Sequence, residues 1–200
     1  MTLRELILSP DATIDQIAAY LDGLSADERK AQVIGLRRSH QKALWVKAAS
    51  APPLEMSHFV PNGVAPLTEV IHHGKNTLPV FTKFQKRFCF STSGPGPEAF
   101  GYNEGATRWI IGPGYFVIHS TAGNPEWEKL GALVVDYYMV PSVPVVSTWP
   151  PIIPNSKGLQ MFVYKGTRDF MRRVSQHVSI GTAYKGDKAL GAWFVLCREP

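Results

Sequence analysis

The stretch from Asn155 to Tyr184 constrains the fold most, because it carries the clearest helical periodicity in the chain. Asn155 follows Pro154 and is a good N-cap, since its side chain can accept a hydrogen bond from a free backbone N–H. Apolar or small residues then recur every three or four positions, at Leu159, Phe162, Val163, Gly166, Phe170, Val174 and Val178. This rhythm is typical of one buried helical face and predicts a long central helix.

Two capping patterns predict a helical hairpin in residues 1–50. Thr13 with Gln16 opens a helix over residues 13–22, and Gly23 ends it. Ser25 with Glu28 opens a second helix that runs to about Ala49. Residues 51–76 contain several prolines among apolar residues, so we expect an ordered connector there and a core domain in residues 77–200.

The second half of the chain mixes strand and helix signals. Thr77 can cap a helix over Leu78–Phe88, with a strand over Phe81–Phe90 as the alternative. Ser91–Pro97 is a loop by composition. Apolar, aromatic or β-branched runs predict three strands and a final hairpin across Gly186–Lys188, namely Thr107–Ile111, Tyr115–Ser120, Ala132–Val140, Ile180–Lys185 and Leu190–Arg198.

These elements together predict the α+β class. A helical hairpin precedes an antiparallel sheet of about five strands, and the long helix packs against that sheet. A strong curvature of the sheet around the helix would leave a pocket.

Composition excludes several protein classes. The apolar fraction of 44% fits a globular domain rather than a disordered chain. Two cysteines provide neither a disulfide framework nor a CxxC zinc pattern, and the amino-terminal residues do not resemble a secretory signal. No apolar run approaches the length of a membrane span. We therefore expect a soluble cytoplasmic protein with reduced thiols and without metal or cofactor.

Three sets of residues could form a catalytic site. His72 and His73 are adjacent, so on a strand they point to opposite faces, and a metal would need distant ligands. Cys89 lies beside Lys86 and Arg87, which could activate the thiol if a histidine base were near. His119 and Asp136 lie on predicted neighbouring strands and would share a face in the right register.

Other residues are candidates for binding. Aromatic residues are mainly core, but Trp109, Tyr115, Tyr137 and Trp149 are candidates to line a ligand cavity. Residues 151–200 hold eight Lys/Arg against three Asp/Glu, and Lys165, Arg168, Arg172 and Arg173 form a candidate basic surface for an anion or an acidic partner. The glycine-rich segments Gly94–Pro97 and Gly112–Gly114 lack the pattern of nucleotide-binding loops.

Three functions follow, in order of preference. The first is a non-catalytic module that holds a small apolar ligand or docks a protein partner through the helical hairpin. The second is a hydrolase or transferase with a His/Asp or Cys/His site. The third is nucleic-acid binding through the basic surface extended by Lys185 and Lys188, although the sequence carries no RNP, helix-turn-helix or zinc-finger signature.

Overall fold

A computed structural model, which describes residues 2–91 and 98–200, shows eight antiparallel strands that close into a barrel. Each strand pairs with the next along the chain, and the last pairs with the first through His72–Asn76 and Phe194–Arg198. The strands are β1 Val70–Asn76, β2 Lys83–Phe90, β3 Ala99–Glu104, β4 Phe116–Ser120, β5 Leu133–Asp136, β6 Thr167–Arg173, β7 Val178–Lys185 and β8 Lys188–Arg198. Residues 92–97 of the segment Ser91–Pro97, predicted above as a loop, lie outside the described residues.

In the part of the chain that the structure describes, four α-helices and two 3-10 turns precede the barrel, and three one-turn helices lie in its connections. The first four are α1 Leu3–Leu8, α2 Ile14–Asp22, α3 Ala26–Ile34 and α4 Arg38–Lys47. The short ones are α5 Arg108–Ile111, α6 Pro125–Glu128 and α7 Gln160–Val163. Capping boxes at Thr13 and Ser25 are confirmed, and a further one at Thr2 starts α1. The helix predicted to run from Ser25 to Ala49 is divided at Gly35 into α3 and α4.

The predicted long central helix is wrong. Its residues form α7, then β6 and most of β7, and Gly166 between them adopts a φ of 74° that helix does not allow. From Thr167 the side chains alternate with period two, because β6 pairs with both β5 and β7. Phe170, Val174 and Val178 matched a helical spacing only because a tight turn separates the two strands.

The α+β class with a five-stranded sheet is therefore also wrong. The helix predicted over Leu78–Phe88 is instead the loop before β2 and most of β2, as the strand alternative required. The strand predicted over Thr107–Ile111 is instead α5. β1 lies at the end of the segment predicted as a connector. The hairpin across Gly186–Lys188 is confirmed as β7 and β8.

The amino-terminal helices cover the outer face of the barrel where β8 meets β1. Leu21, Val33 and Leu44 share a buried cluster with Ile180 and Val195. Backbone oxygens of the barrel also accept hydrogen bonds from the helices: Arg38 Nη2 donates to Gly191 O at 2.7 Å, and Gln41 Nε2 to Lys75 O at 3.1 Å. The helices thus hold the seam of the barrel from outside.

Glycines opposite phenylalanines shape the barrel interior. Gly74 faces Phe84, Gly101 faces Phe116 and Gly181 faces Phe194 on neighbouring strands. A Cβ on Gly181 would lie 2.3 Å from Phe194 Cζ, and a Cβ on Gly74 or Gly101 would lie 2.6 Å from the ring of Phe84 or Phe116. Each ring therefore lies across the glycine backbone, as in the aromatic rescue of strand glycines.

We expect Gly181→Ala to destabilise the protein by about 1–3 kcal/mol, because the added methyl overlaps the Phe194 ring. The matched control is Gly105→Ala, where the nearest atom would lie 3.8 Å from the new Cβ. Its effect should stay within about 0.5 kcal/mol. Urea unfolding followed by circular dichroism measures both. Equal stability of the two variants would contradict this account of the interior.

Candidate functional site

A cavity of about 420 Å³ occupies one half of the barrel interior and opens at one end. We call this end the mouth; it is formed by the β1–β2, β3–β4, β5–β6 and β7–β8 connections. The wall is mainly apolar and includes Phe84, Ile111, Val163, Trp193 and Phe194.

Four polar side chains form the floor of the cavity, and we call them the floor cluster: Lys86, Asn103, Tyr137 and Asp169. Lys86 Nζ donates to Asn103 Oδ1 at 3.1 Å and to Asp169 Oδ2 at 3.2 Å, and it also contacts the Tyr137 hydroxyl. Asn103 Nδ2 donates to Tyr137 Oη at 3.1 Å and to Gly114 O at 2.9 Å. The cluster is thus closely interconnected by hydrogen bonds.

The strands dictate this convergence. Lys86 lies between Phe84 and Phe88 on β2, and all three point inwards because strand side chains alternate. Asp169 occupies the same kind of position on β6, across the barrel. Aromatic rings surround the ammonium, with Nζ 4.7 Å from the Phe116 centroid and 5.1 Å from that of Phe194. Such contacts stabilise a buried cation.

Burial and pairing act in opposite directions on the two charged groups. Loss of solvent lowers the pKa of Lys86, and the nearby Asp169 carboxylate opposes this change. Loss of solvent likewise raises the pKa of Asp169, opposed by the ammonium and by the Tyr137 hydrogen bond. An isolated buried charge would be very costly, so each group depends on its partner.

The other end of the barrel is closed. Residues Leu54, Phe59 and Val60 pack into the interior beside Phe88. His72 belongs to this closed end: it is fully buried, and its Nε2–H donates to Phe59 O at 3.0 Å. Burial lowers the pKa of His72 to about 3, so the imidazole is neutral at pH 7. His72 is not among the residues that line the cavity.

The remaining catalytic candidates lie on the outer face of the barrel. His73 contacts Glu199 there, so the two adjacent histidines do point to opposite faces. Cys89 is buried among Phe100, Tyr102 and Trp149. Burial raises the pKa of the Cys89 thiol to about 11, which opposes thiolate formation.

His119 and Asp136 meet, as the pairing of β4 with β5 allows. His119 Nε2 lies 3.4 Å from Asp136 Oδ2, and this contact raises the pKa of His119. The same oxygen accepts a hydrogen bond from Arg168 Nε at 2.9 Å, and the Tyr138 N–H donates to the other oxygen at 2.8 Å. Burial by itself would raise the pKa of Asp136, but the three donors outweigh this effect and the pKa is lowered. The carboxylate is therefore shared among three donors rather than dedicated to the histidine.

The four aromatic residues predicted to line a ligand cavity lie in three different places. Tyr137 lines the cavity and belongs to the floor cluster. Trp109 lies on α5 beside the mouth, with 80% of its surface exposed. Tyr115 and Trp149 pack together outside the barrel, where Tyr115 Oη donates to Pro150 O at 2.5 Å and Trp149 Nε1 to Glu69 Oε2 at 2.6 Å.

The basic candidates do not form one surface. Arg168 lies between the rings of Trp127 and Tyr138, 4.6 and 4.1 Å from their centroids. Arg172 donates to Leu130 O, Lys129 O and Trp45 O, and so attaches α4 to the barrel. Arg173 is half-buried beyond it, while Lys165 is exposed at the mouth. The two central arginines are thus occupied by structural contacts.

Sequence reasoning missed Lys86, Asn103 and Asp169. The sequence places Lys86 in the helix predicted over Leu78–Phe88 and Asp169 in the predicted central helix, so neither side chain was expected in a barrel interior. The available signal was the period-two pattern Phe84, Lys86, Phe88, in which a lone cation takes an inward position between two aromatic residues. No pattern in the sequence pairs it with Asp169.

Comparison with protein-family models, with curated proteins and with solved structures gave no match. Within residues 2–91 and 98–200, no group of three or more His, Cys, Asp or Glu side chains is arranged to hold a metal ion. The described helices are all too short or too polar to cross a lipid bilayer.

We expect Lys86→Met to destabilise the protein by about 3–5 kcal/mol, because it leaves the Asp169 carboxylate buried without its cation. Lys86→Met combined with Asp169→Leu should recover most of that loss, since both charges are then removed. The adjacent pair Arg87–Glu69, 3.0 Å apart and partly exposed, supplies the control. Arg87→Met should cost about 1 kcal/mol or less in urea unfolding. A Lys86→Met loss no larger than this would contradict the role of the pair.

We expect stability to fall by about 2 kcal/mol between pH 7 and pH 5 through His72 alone. The folded-state pKa of about 3 is below that of an unfolded histidine, so the unfolded chain binds the extra proton as the pH falls. His72→Gln should therefore show a shallower dependence of unfolding free energy on pH. Identical curves for His72→Gln and the parent protein would refute this.

Proposed function

We propose that the barrel binds a small, largely apolar molecule whose polar end is uncharged. The observation that supports this most is the cavity of about 420 Å³, which is open at the mouth and closed by packed side chains at the other end. Small-molecule sites are typically concave, mostly apolar and equipped with a few convergent polar groups. The floor cluster supplies those groups.

The charge balance of the floor cluster supports an uncharged ligand. Lys86 and Asp169 neutralise each other within 3.2 Å, so a carboxylate or an ammonium on the ligand would add an unpaired charge at low dielectric. A hydroxyl or a carbonyl can instead exchange hydrogen bonds with the cluster without changing its net charge. A long-chain alcohol is therefore favoured over the fatty acid of the same length.

Catalysis and nucleic-acid binding receive less support from the geometry. Asp136, the partner of His119, also binds Arg168, and burial of Cys89 opposes formation of its thiolate. Arg168 and Arg172 are engaged by aromatic rings and backbone oxygens. A cytoplasmic location is part of the proposal, and the free thiols of Cys89 and Cys197 are in keeping with a reducing compartment.

Displacement of a fluorescent probe tests the proposal. The neutral probe 1-aminoanthracene should bind with enhanced emission, and 1-dodecanol should displace it at least about tenfold more effectively than dodecanoate. Ala192→Phe should abolish probe binding, because Ala192 lines the cavity. Ala189→Phe, on the same strand at an exposed position, is the control and should bind normally. Absence of probe binding, or equal binding by both variants, would refute the proposal.

A further inference from the structure

Exposed apolar side chains are concentrated at the mouth. Among the described residues, eight large apolar side chains are exposed in or beside the parts of the β1–β2, β3–β4 and β5–β6 connections that line the cavity, and Leu190 is exposed near the start of β8: Leu78, Val80, Phe81, Trp109, Ile110, Leu159, Phe162, Val163 and Leu190. We call them the rim. Phe81, Trp109 and Phe162 are 64%, 80% and 74% exposed, although large aromatic rings are normally buried. Concentrated exposed apolar surface marks an interaction site.

Lysines accompany the rim at the same end. Lys83, Lys165, Lys185 and Lys188 are exposed there, and Lys185 lies directly opposite Lys188 at the tip of the β7–β8 hairpin. Acidic residues at this end are fewer: Glu104 is paired with Arg108 at 2.8 Å, and Asp187 lies in the hairpin turn. The mouth therefore combines apolar side chains with a net positive charge.

We propose that the rim seats the mouth of the barrel on an anionic lipid membrane, and that the cavity exchanges its ligand with that bilayer. Aromatic and aliphatic side chains can enter the interfacial region, while lysines contact anionic headgroups. A protein partner would satisfy the apolar side chains, but clustered lysines around them match a negatively charged surface best. Exchange with the bilayer rests on the proposed ligand binding, whereas the docking itself does not.

Docking at the mouth would spare an apolar ligand the passage through water between the bilayer and the cavity. An apolar ligand that leaves a bilayer through water must expose its apolar surface, which is unfavourable by roughly 25 cal/mol per Å². Because the cavity opens among the rim residues, a seated barrel offers a continuous apolar route from bilayer to cavity. The floor cluster then lies at the far end of this route.

Vesicle flotation tests the docking. The full chain should float with phosphatidylcholine vesicles that contain about one third phosphatidylserine, and much less with phosphatidylcholine alone. Trp109→Ser with Phe162→Ser should reduce the bound fraction at least about tenfold. Leu8→Ser with Val46→Ser is the control, because those side chains are 55% and 65% exposed but lie on α1 and α4, away from the mouth.

Charge reversal tests the lysines in the same way. Lys165→Glu with Lys185→Glu should also reduce binding at least about tenfold, whereas Lys42→Glu with Lys129→Glu, exposed elsewhere, should not. Brominated phosphatidylcholine included in the anionic vesicles should quench the tryptophan emission of the parent protein. It should quench Trp109→Phe much less, which checks insertion without relying on a destabilised variant.

Each result decides the proposal. Failure to float with anionic vesicles, or equal loss in rim and control variants, would overturn it. Self-association that Trp109→Ser with Phe162→Ser abolishes, without vesicle binding, would assign the rim to a second copy of the chain and overturn it as well. Ala192→Phe should still float, so a failure of ligand binding alone would remove the exchange step and leave the docking intact.

Discussion

The backbone pairing of β1 with β8 decides which side of every strand is inside. An open sheet would leave two edge strands unpaired, and its inner residues would lie on an open face. Because β1 pairs with β8, the sheet is closed and its inner residues lie in a narrow enclosed volume. Alternate residues of all eight strands must share that volume. Aromatic rings fit because glycines stand opposite three of them. Where the filling stops, towards the mouth, the remaining volume is the cavity.

The floor cluster marks the boundary between the filled and the empty halves of the barrel. On one side of it Phe88, Phe59 and His72 are in contact with each other, and on the other side the cavity begins. A charged pair at this position is unfavourable in isolation, so its hydrogen bonds and aromatic neighbours must hold it in one arrangement. The same rigidity would give the proposed ligand a fixed set of polar partners.

Local signals predicted what local interactions determine. The capping boxes at Thr13 and Ser25 and the turn between β7 and β8 depend on a few neighbouring residues, and these predictions are confirmed. β6 was not predicted because its apolar residues also fit a helical period. Only pairing with its two neighbouring strands favours the extended form. Tyr137 was predicted as a ligand residue, but Lys86 and Asp169 are far apart in sequence and meet only through the registers of intervening strands. Their meeting is a property of the closed barrel.

The seam also has a consequence for the order of folding. Seven of the eight strand pairings join neighbours in the chain and can form progressively, but β1 and β8 are separated by more than half of the sequence. Joining them carries the largest loop-closure entropy, and such non-local contacts slow folding. Arg38 and Gln41 bond to groups on both sides of this junction. The four helices, although synthesised before the strands, can therefore take their final place only after β8 has paired with β1.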